Sequence, residues 1–329
     1  MDVKTFKQHL INYLYPSNLT CVHCSEELFD KGKYGLCEYC YGFLNFIKAD
    51  ECCVLCGTTI TTLAEFCIRC KQQTPQDKAV YTRARSVFAY EGLTQALIYH
   101  FKYDNNRFLA EYFAQFLVDK YLGLLLDNSK PKANSKGNSE TTQNAVNTKT
   151  SASPKKKPQQ QPNWHIDIVV PVPSSRETLR DRGFNQSALL ANQFVKCLQM
   201  KGSKSTNPLI NAKQNIIANE NILLKVLDTP RQTIVDRQTR LKNLNKSIAI
   251  NGNYICKTTN ALINSKQQIK DKSILIIDDV YTTGATVNEC AKVLLKAGAS
   301  KVYALTLANT IYKINVPNKI HNYSNMILN

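Results

Sequence analysis

Ile274-Leu275-Ile276-Ile277-Asp278-Asp279-Val280-Tyr281-Thr282-Thr283-Gly284-Ala285-Thr286 is the segment around which the chain is read. Four consecutive apolar residues predict a buried parallel strand, and two carboxylates mark its C-terminal end. A Thr/Gly loop follows and opens a helix expected near Val287. Such a junction suits a phosphate: the loop and the first helical turn offer unpaired N–H groups at the positive end of a dipole, and Gly284 permits close backbone approach. The two acids could grip sugar hydroxyls. An acidic strand end also occurs in P-loop NTPases, but no G-x-x-x-x-G-K-[ST] exists in this chain. The plainest alternative is an ordinary buried strand with a Thr-rich loop; the paired carboxylates argue against it.

The chain has 329 residues, enough for about two domains, and its 43% hydrophobic content is that of a globular protein. No apolar run reaches membrane-spanning length and the first residues lack an export pattern, so the expectation is a cytoplasmic protein without membrane insertion. The net charge of +17 is partly local: residues 128–162 hold seven lysines and one glutamate. That stretch is otherwise Asn, Ser, Thr, Gln and Pro, too poor in apolar residues to offset the entropy of ordering, and predicts a disordered insertion. The remaining charge is weak evidence for a polyanionic partner.

Cysteine usage is lopsided. Of twelve cysteines, nine lie in the first seventy residues, and eight of these form the Cys-x-x-Cys pairs Cys21/Cys24, Cys37/Cys40, Cys53/Cys56 and Cys67/Cys70. Without an export signal this argues for metal ligation over disulfides. Spacers of twelve, twelve and ten residues suit zinc ribbons. Two four-cysteine sites are expected, paired sequentially or interleaved, and structural, because four thiolates leave no position for water. Cys52 is a ninth thiol with no required role, and His23 reads as a neighbour of the first knuckle. A short amphipathic helix carrying Phe6, Leu10, Ile11 and Leu14 is expected to precede them.

Further along, Ser86 to Tyr90 reads as a strand, and Leu93 to Phe101 and Phe108 to Leu126 as helices. Lys102, at a helix end, could face an anion. Ile166 to Pro173 reads as a strand running into a Pro-punctuated loop, Pro171 to Ser175. Ligands of open α/β sheets bind beyond such strand ends, so a second anionic group could sit there. Arg176, Arg180 and Arg182 follow, then Gly183-Phe184-Asn185-Gln186 and a helix with Leu189, Leu190, Phe194 and Val195. Residues 201–220 read as polar loop and Asn221 to Val226 as a strand. The basic stretch around Arg231, with a following helix expected to hold Arg237 and Arg240, could form a lid over a phosphorylated substrate, the alternative being a plain surface loop. Val287 to Ala297 forms one helical face ending at Gly298, and Lys301 to Leu307 a further buried strand.

All thirteen positions of 274–286 resemble the signature of type I phosphoribosyltransferases, which bind 5-phosphoribosyl-1-pyrophosphate (PRPP). Together with the Cys-x-x-Cys pairs, Pro171-Val172-Pro173, Arg182-Gly183-Phe184-Asn185-Gln186 and the segment with Gln232, Arg240 and Asn243, the layout resembles the ComF/GntX family. The resemblance implies an α/β fold, a parallel sheet flanked by helices with a small N-terminal double zinc ribbon. The ribbon and its leading helix would occupy residues 1–75, and the phosphoribosyltransferase domain residues 80–312, interrupted at 128–162, with a tail at 313–329. It implies that Thr282, Thr283, Gly284, Ala285 and Thr286 cradle the 5-phosphate and that Asp278 and Asp279 meet the ribose hydroxyls. Pro171, Val172, Pro173 and Ser174 would face pyrophosphate. Structural Zn2+ and substrate-borne Mg2+ are the implied ions.

The family is linked to natural transformation, so single-stranded DNA and competence-machinery proteins are the implied partners. Loss of pyrophosphate leaves an oxocarbenium-like centre, and Arg182, Arg231 and Arg240 are the candidates for stabilising charge. A phosphoribosyltransferase with an unidentified acceptor is the leading expectation. The alternative is a binding protein that senses a phosphoribosyl ligand and uses the ribbon as an adaptor.

Overall fold

A computed structural model describes residues 19–28, 32–60, 64–75, 78–104, 106–127, 164–226, 247–255 and 261–311. The leading helix, the 128–162 insertion, the lid with Arg231 and Arg240, and the tail beyond 312 lie outside the described residues.

The central strand is β8, Ser273–Tyr281. Ile274, Leu275, Ile276 and Ile277 are fully buried, as expected for a strand covered on both faces, because a parallel sheet must be enclosed by its crossover helices. The flanking strands are β9 (Lys301–Asn309) and β2 (Ile168–Pro171), with β1 (Arg83–Ala89) and β3 (Ile217–Ala218) at the edges. The order is β1-β9-β8-β2-β3 and every pairing is parallel. The remaining strands β4 (Leu223–Lys225), β5 (Ile248–Ile250), β6 (Asn253–Ile255) and β7 (Leu262–Asn264) form two antiparallel pairs, β4 with β5 and β6 with β7.

Helices are numbered in chain order: α1 Glu38–Gly42, α2 Ile68–Lys71, α3 Gly92–Tyr103, α4 Leu109–Asp127, α5 Arg176–Arg182, α6 Gln186–Lys204, α7 Pro208–Asn211, α8 Ser265–Ile269 and α9 Ala285–Lys296. Strand residues alternate between two cores with period two. Leu275, Ile277, Tyr303 and Leu305 join Phe113, Leu117 and Tyr121 of α4 and Leu190, Phe194 and Leu198 of α6. Ile274, Ile276, Val302 and Ala304 join Val287, Cys290, Ala291 and Leu294 of α9.

The cysteine-rich segment closes the exposed edge of β1. Ile47 N–H donates to Val87 O at 2.9 Å, Ala89 N–H to Asn45 O at 2.8 Å and Ala84 N–H to Leu55 O at 2.8 Å. These bonds satisfy edge groups that would otherwise template association. Cys21, Leu28, Leu36, Cys40 and Leu44 pack into the α4 and α6 core, and Cys53 and Cys56 into the α9 core. The architecture is therefore α/β, a parallel sheet flanked by helices, carrying an N-terminal cysteine ribbon.

One expectation needs correction, and one helix had no expectation attached to it. Residues 201–220 are not a polar loop: α6 continues to Lys204, α7 begins with Pro208 behind the cap Asn207, and β3 follows. Buried Leu198 and Gly202 extend the α6 face, and the lysines that made the stretch look loop-like sit in its last turn. The arginines ahead of Gly183 lie on α5, which the Ser175 hydroxyl caps by accepting from Thr178 N–H at 3.1 Å. The short helix has no buried residue, so no apolar period announced it.

Candidate functional site

The C-terminal ends of β2 and β8 lie side by side, with Val172 N–H donating to Ile277 O at 3.0 Å. The loop Pro171, Val172, Pro173, Ser174 thus starts beside Asp278. Asn185 fastens it: its amide donates to Val172 O at 3.1 Å while its carbonyl oxygen accepts from Ser187 and Ala188 N–H as the cap of α6. Asn185 of the sequence motif is therefore a clamp between this loop and α6.

Asp278 accepts from the Ser187 hydroxyl at 2.8 Å and from Asp279 N–H at 3.0 Å. Burial pushes its carboxyl up to about 7, the Asp279 charge adds to this, and the Ser187 hydroxyl and Lys102 oppose it. Asp279 is buried and pairs with Lys102, Nζ to Oδ2 2.7 Å. Burial disfavours the ammonium, but the Asp279 charge and hydrogen bond outweigh it and raise Lys102 above the ordinary lysine range. Lys102 does face an anion; that anion is a carboxylate of the site itself. Ser187 escaped sequence reading because one helical serine carries no signal.

Beyond Tyr281 the chain turns at Gly284, with φ 78°, and α9 begins at Ala285, two residues earlier than expected. A Cβ at Gly284 would meet Tyr281 Oη at 2.0 Å, so both the backbone conformation and the space require glycine. Among the described residues, none accepts from the main-chain N–H of Thr283, Gly284 or Thr286. These donors stand at the N-terminus of a twelve-residue helix, where an anion is favoured. Thr282, Thr283 and Thr286 are half-buried.

A cavity of about 680 Å³ is lined by Lys102, Tyr103, Arg107, Arg180, Asp181, Arg182 and Gly183. Arg182 lies over the Tyr103 ring at 4.9 Å and donates to its hydroxyl at 3.3 Å. Arg182 is thus joined through Tyr103 and Lys102 to the carboxylates, while Arg231 and Arg240 fall outside the described residues.

The eight cysteines form two quartets, Cys21/Cys24/Cys37/Cys40 and Cys53/Cys56/Cys67/Cys70, the sequential pairing, with Sγ atoms in each within 4.8 Å of one another. The Cys24–Cys37 and Cys56–Cys67 Sγ separations are both 3.7 Å. A tetrahedral ion with thiolates at about 2.3 Å has an S···S edge of about 3.8 Å, so each quartet fits a structural zinc. His23 is exposed and belongs to neither quartet, and Cys52 donates to Ala49 O at 3.3 Å.

The sequence matches the family described as "Phosphoribosyl transferase domain" over residues 220–322. It is 27% identical over 292 residues to Competence protein F of Haemophilus influenzae, covering 88% of this chain and 97% of that protein. The resemblance to the ComF/GntX family is borne out by this domain, by a relative named a competence protein and by the two four-cysteine groups. It is also 31% identical over 147 residues to Competence protein ComFC of Bacillus subtilis, 44% of this chain and 45% of that protein. A third relative, DNA utilization protein YhgH of Escherichia coli, is 25% identical over 145 residues, half of its length. This chain thus combines a phosphoribosyltransferase-type α/β domain with two four-cysteine groups. No described helix is long and apolar enough to cross a membrane.

Proposed function

We propose that this protein binds PRPP with Mg2+ at the C-terminal ends of β2 and β8 and acts as a phosphoribosyltransferase in natural transformation, in the cytoplasm. The observation that carries the reading is the turn at Gly284: unaccepted amides of Thr283, Gly284 and Thr286 lie at a helix N-terminus just beyond two enclosed carboxylates. An anion next to a diol is the chemistry of a ribose 5-phosphate. Thr282 to Thr286 take the phosphate, Asp278 and Asp279 the ribose hydroxyls, and Pro171 to Ser174 the pyrophosphate.

When bound, Mg2+ neutralises part of the pyrophosphate charge through the ligand's own oxygens. This chain's residues do the rest. The clamp of Asn185 on Val172 holds the pyrophosphate loop against β8. The basic cavity with Arg182 balances the charge of the leaving group, and Arg231 and Arg240, outside the described residues, are the further candidates for that role. No side-chain nucleophile is required. The names of the relatives, competence and DNA utilization, support an acceptor in the metabolism of imported single-stranded DNA, with competence-machinery proteins as partners.

A second reading, a phosphoribosyl-binding adaptor without turnover, draws on the Lys102 pair, which engages a carboxylate of the site itself. Pyrophosphate release from PRPP and Mg2+ separates the two. The transferase reading expects release with wild type, raised by single-stranded DNA or another acceptor and abolished by Asp278→Ala/Asp279→Ala. Release no greater than in that variant with every acceptor, while the ligand still binds, leaves the adaptor.

A further inference from the structure

The second cysteine knuckle reaches into the Gly284 turn. Arg69 lies between the ligands Cys67 and Cys70, and its guanidinium donates to Thr282 O at 2.7 Å and to the Thr58 hydroxyl at 3.3 Å. The Thr58 hydroxyl donates to the Asn309 side chain at 2.8 Å, and the Asn309 amide donates to Cys56 O at 3.2 Å. Arg69 also stands over the Tyr281 ring at 5.7 Å, the ring that underlies Gly284. Tyr281 is itself fixed from the linker that follows the knuckle, its hydroxyl 2.6 Å from that of buried Tyr81.

Peptide geometry gives these contacts a consequence. A trans peptide places its carbonyl oxygen and the next N–H on opposite sides of one plane. Holding Thr282 O against the ribbon therefore aims the Thr283 N–H away from it, among the amides that have no acceptor in the described residues. The guanidinium is the shorter of two donors to Thr282 O, the other being the Thr310 hydroxyl at 3.3 Å, so its removal loosens the hold on this peptide plane.

We propose that Arg69 is a positioning residue that couples the Cys53/Cys56/Cys67/Cys70 metal site to the phosphate turn, so that metal and phosphorylated ligand stabilise each other's sites. The inference rests on the phosphoribosyl reading for the identity of the ligand, but not for the existence of the coupling. An ion held by Cys67 and Cys70 fixes the helical turn that carries Arg69, and with it the donor to Thr282 O. By linkage, a ligand that orders the turn must slow metal loss from the second quartet and leave the first unaffected.

The test uses the full chain loaded with zinc and ribose 5-phosphate as probe, with three readouts: zinc content, zinc release to a chromogenic chelator, and amide exchange at 282–286. Arg69→Ala is expected to keep both zinc ions, to weaken ribose 5-phosphate about tenfold through loss of one charge-assisted bond, and to speed exchange in the turn. In wild type, ribose 5-phosphate slows one of two zinc-release phases; in Arg69→Ala it slows neither. Arg69→Lys keeps the cation over Tyr281 with a single donor centre and falls between the two. Unchanged exchange and unchanged affinity in Arg69→Ala overturn the coupling and leave the phosphoribosyl reading standing. No ribose 5-phosphate binding by wild type overturns that reading, and the exchange comparison then decides the coupling alone.

Discussion

Lys102→Met puts the electrostatics of the site to a quantitative test. The Lys102–Asp279 contact is 2.7 Å, and the two side chains are 18% and 12% exposed. Removing one partner of so enclosed a pair leaves the other charge without compensation, at a cost of about 3–5 kcal/mol. Asp278 sets how that cost varies with pH. Its carboxyl stands near 7, above its unfolded value of 3.8, so between those values the folded protein binds more protons than the unfolded chain. Wild-type stability contributed by this group is full below 3.8 and falls as pH rises toward 7. Lys102 is one of the groups that hold the Asp278 carboxyl down, so without it Asp278 keeps its proton to higher pH and the fall extends further. Urea unfolding followed through the single tryptophan, Trp164, which is buried, measures this directly. Lys102→Met should lose about 3–5 kcal/mol at alkaline pH and clearly less near pH 5.5. Lys102→Met/Asp279→Asn should recover most of the loss. A deficit that is the same at both pH values, or that Asp279→Asn does not relieve, would refute the pairing as the source of the stability.

Gly284→Ala forces a left-handed φ of 78° on a residue with a Cβ that meets Tyr281, so about 1–2 kcal/mol of strain and a displaced turn should appear as weakened ribose 5-phosphate binding in calorimetry. Asn185→Ala removes the α6 cap and the donor to Val172 O, and should cost about 1–2 kcal/mol in the same urea assay while zinc content stays unchanged. Metal analysis of protein prepared without chelators should give two zinc ions per chain, and Cys70→Ser should remove one of them.

The hydrophobic run from Ile274 to Ile277, the carboxylates and the Thr/Gly turn announced the strand, the site and the helix start because each depends on local chemistry. Cysteine spacing announced two groups of four but left their pairing open, which is set by how each knuckle packs: the first quartet lies against α4 and the second against α9. Lys102, Ser187 and Arg69 are different. Lys102 is 177 positions from its partner Asp279, and Arg69 is 213 from Thr282, so only the assembled sheet brings them together. The α5 helix stayed hidden for the opposite reason, since it buries nothing and owes its form to the Ser175 cap.

Calorimetric titration of PRPP with Mg2+ into wild type and into Asp278→Asn/Asp279→Asn decides whether the β2 and β8 strand ends hold a phosphoribosyl ligand. Saturable one-site binding by wild type, weakened at least about tenfold in the variant through loss of charged acceptors to the ribose hydroxyls, is the predicted result. No binding by folded, zinc-loaded wild type, or equal affinity in both proteins, would contradict it.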